Sequence, residues 1–106
     1  MFLTQESFST TDKFTLKQGK NSKPCTCKYT LKWDYPDKVF TTSQNKNSKV
    51  VCTVSKWPKK DAINYQRTST FFIGNFSAAV TVKITKTKNK ANTKGTLTRA
   101  IVTTGI

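Results

Sequence analysis

The chain has 106 residues, of which 19 are Lys or Arg, 5 are Asp or Glu and none is His, giving a formal net charge of +14. That length suits one domain with one modest core, and the lack of His and of Gly-rich phosphate loops excludes imidazole-based catalytic triads and the usual nucleotide cradles. Self-repulsion of this size opposes compaction and a phosphate-rich partner relieves it, so the expected partner is a polyanion, above all a nucleic acid.

Thr, Ser, Val, Phe and Tyr dominate the ordered-looking segments, and the pattern is alternation, with no sustained 3.6-residue apolar period. The N-terminal residues Met1 to Glu6 lack the basic start and apolar run of a signal peptide, so residence in a cytosol is expected. No run approaches the roughly 18 apolar residues of a membrane span. Phe14 to Lys17 reads as a short strand ended by Gly19 and the polar stretch Lys20 to Pro24. In Lys28 to Trp33, Tyr29, Leu31 and Trp33 share one face, and Lys28, Thr30 and Lys32 share the other. Asp34-Tyr35-Pro36-Asp37 signals a turn; Lys38 to Thr42 is a further strand candidate and Ser43 to Ser48 a polar loop. Lys49 to Ser55 is a strand with Val50, Cys52 and Val54 on its apolar face and Lys49, Val51, Thr53 and Ser55 opposite. Trp57-Pro58-Lys59-Lys60-Asp61 ends it, since Pro supplies no ladder donor. Asn64 to Ile73, a turn at Gly74-Asn75, and Ala79 to Lys88 follow. In the last of these Val80, Val82 and Ile84 face one way, and Thr81, Lys83, Thr85 and Thr87 the other. Asn89 to Gly95 is a basic loop, and Thr96 to Ile106 is extended, not helical.

These strands predict an all-β domain over residues 1–106: one antiparallel meander sheet with an N-terminal hairpin, one apolar and one Lys/Thr face. Cations and hydroxyls together suit phosphate contact. Leu97, Ile101 and Val102 are the available cover for the apolar face.

Cys25, Cys27 and Cys52 are odd in number, which argues against a closed intramolecular disulfide framework; buried thiols or an intersubunit bridge are expected. No metal or other cofactor is expected, because the C-x-C spacing without His falls short of a zinc site. Scattered acids offer no carboxylate pair, so the chain is not expected to be an enzyme. Trp33, Tyr35, Trp57 and Tyr65 are candidates for stacking on bases, Tyr65 best among them, while Phe71, Phe72 and Phe76 suit core or interface. Asn75-Phe76-Ser77 matches a glycosylation sequon by chance.

The strand Lys49-Val50-Val51-Cys52-Thr53-Val54-Ser55, a short polar loop, and Tyr65-Gln66-Arg67-Thr68-Ser69-Thr70-Phe71-Phe72 together resemble the coat proteins of single-stranded RNA bacteriophages, with weaker agreement to about residue 88. The resemblance implies a sheet continued across a homodimer, assembly into an icosahedral shell, and a virion put together in the bacterial host cytoplasm. It also implies genomic RNA, in some members an operator hairpin, on the inner polar face of the sheet. Carried onto the matched residues, the RNA-binding positions are Lys49, Val51, Thr53, Gln66 and Thr68. Alternation extends that face to Lys83 and Thr85. The family's two C-terminal helices have no counterpart in Lys86 to Ile106, which is rich in Thr, Asn and Lys. A free single-strand nucleic-acid-binding module and a secreted basic toxin-like protein are the alternatives; neither a membrane nor a small-molecule substrate is expected.

Overall fold

Gly19 adopts φ +60°, the left-handed backbone that a Gly-first two-residue hairpin connection requires. It joins the two longest strands in the computed structural model, which describes residues 4–35, 48–73 and 76–104. These are β1 (Thr4–Gln18) and β2 (Asn21–Tyr35), paired throughout from Gln18↔Asn21 to Thr4↔Tyr35. The hairpin is therefore much longer than the strands Phe14 to Lys17 and Lys28 to Trp33 read from sequence, and of the expected break from Gly19 to Pro24 only Gly19-Lys20 is a turn. Pro24 is tolerated near the start of β2 because its nitrogen faces the same side as its carbonyl, which accepts from Ser55 N–H at 2.9 Å, just past the end of the β2–β3 pairing, where a missing ladder donor costs little. β3 (Lys49–Val54) pairs antiparallel with the Cys25–Thr30 stretch of β2. Asp34 and Tyr35, expected to open a turn over Asp34 to Asp37, instead close β2 opposite Gln5 and Thr4; the rest of that turn, the strand and loop expected over residues 38–47 and the turn at Gly74-Asn75 lie outside the described residues.

β4 (Ile63–Ile73), β5 (Phe76–Lys86) and β6 (Lys94–Thr104) form a second antiparallel meander. The fold is all-β and antiparallel, with no helix among the described residues, and the C-terminal stretch is a strand. The expected single sheet is instead two three-stranded sheets, β1-β2-β3 and β4-β5-β6. The physical reason is cover. Each sheet has an apolar face, and the segment from Ser55 to Ala62 carries the chain from one layer to the other so that the two faces bury each other. Leu16, Tyr29 and Leu31 of the first sheet and Val80, Val82 and Ile84 of the second are fully buried in one cluster.

β1 lies beside β4, and β3 beside β6. On the second side the approach is close: a Cβ added at Gly95 would stand 3.1 Å from Cys52 Sγ, and Thr93 Oγ1 donates to the Cys52 carbonyl at 3.1 Å. Cys52 is itself bonded to its register partner Cys27. The expectation of no intramolecular disulfide is thus corrected: strand register pairs two of the three cysteines and leaves Cys25 a buried free thiol. Leu97 is core as expected, but Ile101 is not. The β5–β6 register shifts at Thr81/Val82, Thr98 is the unopposed residue, and the bulge makes Ala100 the next inward side chain. Ile101 stands opposite Ala79 on the outer side, half-buried.

Candidate nucleic-acid interface

Strand parity sends alternate residues of the first sheet outward, and register fixes which of them are neighbours. Ser9, Thr30 and Lys49 form one cross-strand row; Thr11, Lys28 and Val51 form the next; Lys13, Thr26 and Thr53 the third. The lysines therefore advance by one strand and one row together. Lys49 on β3, Lys28 on β2 and Lys13 on β1 form a diagonal, each step about 8 Å between Cα positions from strand spacing and rise. Lys17 continues the face towards the hairpin turn. The side chains between the lysines are Ser and Thr, save for Val51, which is 60% exposed. Asp12, the nearest acid in the chain, points the other way, into the contact between the sheets.

The outer face of the second sheet has a different layout. Its rows are Asn64, Thr85 and Lys94; Gln66, Lys83 and Thr96; Thr68, Thr81 and Arg99. From Asn64 to Thr70 its β4 strand presents amides and hydroxyls, and Thr68 and Thr81 spend their hydroxyls on each other at 2.9 Å. Phe72, at the far end, is 78% exposed.

The seven residues expected to share an RNA-binding face are therefore divided. Lys49, Val51 and Thr53 stand together on the outer face of the first sheet. Gln66, Thr68, Lys83 and Thr85 stand together on the outer face of the second. Two sheet layers, packed about 10 Å apart, separate the groups. Alternation gives the parity of each side chain correctly, but parity cannot say which sheet a strand joins. Lys13 and Lys28, the remaining lysines of the diagonal, are not among the RNA-binding positions expected from sequence, although alternation puts Lys28 on a polar face; the signal that joins them to Lys49 is the pairing of β1 with β2 and of β2 with β3. The stacking candidates whose side chains are described, Tyr65 and Trp57, are also drawn into the protein. Tyr65 lies nearly parallel to Phe14 between the sheets, centroids 6.1 Å apart. Trp57 is half-buried, its Nε1 donating to the Asp61 carbonyl at 3.2 Å. Phe71 packs on Phe8 and Tyr29, and the side chains of Trp33, Tyr35 and Phe76 lie outside the described residues.

An ion pair holds the sheets in this relation. Arg67 Nε donates to Asp12 Oδ2 at 2.8 Å, Ser69 Oγ donates to the same oxygen at 2.8 Å, and the guanidinium lies 4.1 Å from the centroid of the Phe14 ring. Burial alone would raise the Asp12 carboxyl, but the hydrogen bonds from Arg67 and Ser69 and the Arg67 charge outweigh it and hold the pKa below its ordinary value. Burial, with the Asp12 charge second, pushes the Cys25 thiol up to about 11 and the Tyr29 phenol up to about 12. Both stay neutral. The Tyr29 hydroxyl is buried without a hydrogen-bond partner.

Among the described residues no group of His, Cys, Asp and Glu is placed to hold a metal ion, and no helix is long and apolar enough to cross a membrane. No protein-family model, curated protein or solved structure matches the chain.

Proposed function

We propose that this chain binds single-stranded RNA along the lysine diagonal of its first sheet. The observation that carries the reading is the register itself: Lys13, Lys28 and Lys49 fall on one line, separated by hydroxyl side chains. A line of cations neutralises a phosphate backbone and releases its counterions. Ser9, Thr11, Thr26, Thr30 and Thr53 supply hydroxyls beside it for directional bonds to phosphate and sugar, and Val51 supplies an apolar contact. The reading needs no catalysis and no cofactor.

The test is the affinity for a labelled, unstructured RNA oligonucleotide measured across salt concentrations. Each phosphate neutralised on a single strand contributes a slope of about −0.7 in log K against log salt. Replacing Lys13, Lys28 and Lys49 together with Gln should lower the magnitude of that slope by about 2. An unchanged slope and affinity would remove the diagonal from the interaction.

A second reading, a coat subunit that packages genomic RNA in a virion, is favoured by one feature. β1 is 15 residues long and, among the described residues, pairs only with β2; a long sheet edge of this kind pairs readily with another chain. On this reading the homodimer continues the first sheet across that edge. The Cys27–Cys52 bond suits a particle released from a reducing cytosol. Co-elution of the protein with RNA as a large particle on size exclusion is the expected result; a monomer that binds RNA reversibly would leave the free binding module.

A further inference from the structure

One end of the molecule has a chemistry distinct from both outer faces. The Gly19-Lys20 turn, the connection from Ser55 to Ala62 and the connection from Thr87 to Thr93 all lie there. Between the turn and the Lys60–Ala62 stretch a cleft of about 450 Å³ opens, with Lys88 on its wall. Three lysines, Lys20, Lys60 and Lys88, thus reach one cleft from three separate connections. Asp61 is the acid among them, and Asn21 Nδ2 holds its Oδ2 at 2.8 Å.

The walls are tied together across the two sheets. Gln18 Nε2 donates to the Ala62 carbonyl at 2.8 Å, and Asn64 N–H donates back to Gln18 Oε1 at 2.9 Å. Beneath the cleft lies Lys86, 5% exposed. Its Nζ donates to the Lys59 carbonyl at 2.8 Å and the Asp61 carbonyl at 2.7 Å, with a longer contact to the Thr87 carbonyl at 3.4 Å. These acceptors match the three donors of an ammonium. They are dipoles, however, and leave its charge uncancelled; the ion pair among the described residues is Arg67–Asp12, far from this end. Lys20, Lys60 and Lys88 around the cleft and the buried Lys86 outweigh the single Asp61 carboxylate in its wall, so the local field favours an anion.

We propose that this cleft is a binding site for phosphate groups, roomy enough for a diphosphate. The stretch that forms its wall is pinned at Lys59 and Asp61 from below and at Asp61 and Ala62 from the side, so little ordering remains to be done on binding. The site goes beyond the RNA-binding reading of the sheet face and shares none of the diagonal's lysines. Its phosphate could come from a nucleic-acid chain end or from a free phosphate compound, and the two are separable by experiment.

The probe is inorganic pyrophosphate, titrated into the ¹⁵N-labelled protein. The amides of Gly19, Asn21, Asp61 and Ala62 should shift together and saturate. Lys60→Gln and Lys88→Gln, both exposed and outside the core, should each weaken the affinity about two- to fivefold. Lys28→Gln on the sheet face should leave it unchanged. Shifts spread over every lysine-bearing surface, or an affinity indifferent to both cleft variants, would overturn the proposal whether or not RNA binds the diagonal. With saturable binding established, an oligonucleotide bearing a 5′-phosphate is compared with its 5′-hydroxyl form. A preference lost in Lys60→Gln assigns the site to chain ends; no preference assigns it to free phosphates.

Discussion

The two outer faces of this sandwich are built from the same residue types, Lys and Thr above all, and differ in arrangement. On the first sheet, register sets Lys13, Lys28 and Lys49 on a diagonal with hydroxyls between them. On the second, Lys83, Lys94 and Arg99 occupy β5 and β6, while β4 offers Asn64, Gln66, Thr68 and Thr70, and a Thr pair is satisfied internally. Composition alone would give the faces similar roles. On the proposed reading position distinguishes them, because a strand that follows a line of cations has more of its phosphates neutralised than one that meets charges gathered to one side.

The largest expected effect separates the faces by charge. The Gln triple at Lys13, Lys28 and Lys49 should weaken RNA binding about tenfold or more at moderate salt, read by anisotropy. The matching triple at Lys83, Lys94 and Arg99 should change it about twofold at most. A larger loss from the second triple would reverse the comparison. The next effect concerns what holds the diagonal in register. Reducing Cys27–Cys52, which are 25 residues apart, should lower unfolding free energy by about 3 kcal/mol, measured by denaturant titration, with Cys25 unreactive to alkylation until the chain unfolds.

The contact between the sheets ranks third. Arg67→Ala leaves Asp12 without its cation and should cost about 2 kcal/mol. It also carries a pH signature. Because the folded Asp12 pKa is depressed, its stabilising contribution is fully present above the ordinary carboxylate range and is lost as pH falls through the lower folded value. The wild type should therefore lose stability on acidification more steeply than Arg67→Ala. The smallest effect is Tyr29→Phe. It removes a buried hydroxyl that has no partner, so unfolding free energy should be unchanged or higher by up to about 1 kcal/mol, read from thermal melting.

The strands were legible where one face is uniformly apolar. β3, and β5 through Val80, Val82 and Ile84, show clean period-two alternation, and the structure buries Val50, Cys52, Val80, Val82 and Ile84. β1 was legible only at its end, because its inward series Phe8, Thr10, Asp12, Phe14, Leu16 is interrupted by polar residues, Asp12 among them serving the ion pair with Arg67. Sequence gives no local signal for that, since the partner is 55 residues away. The division into two sheets was hidden for a related reason: Trp57-Pro58 marks where a strand stops, not which layer the next one joins. The bulge at Thr98 misplaced Ile101, and the odd cysteine count concealed a bond that only the β2–β3 register makes evident. For the candidate site, the polarity of Lys49, Val51, Thr53, Gln66, Thr68, Lys83 and Thr85 was readable, and their distribution over two opposite faces was not.

The most direct measurement is amide chemical-shift mapping of the labelled protein with a short single-stranded RNA. The account predicts saturable shifts at Thr11, Lys13, Thr26, Lys28 and Lys49, with Gln66, Thr68, Lys83 and Thr85 still. Shifts centred on that second group, with the first undisturbed, would contradict it.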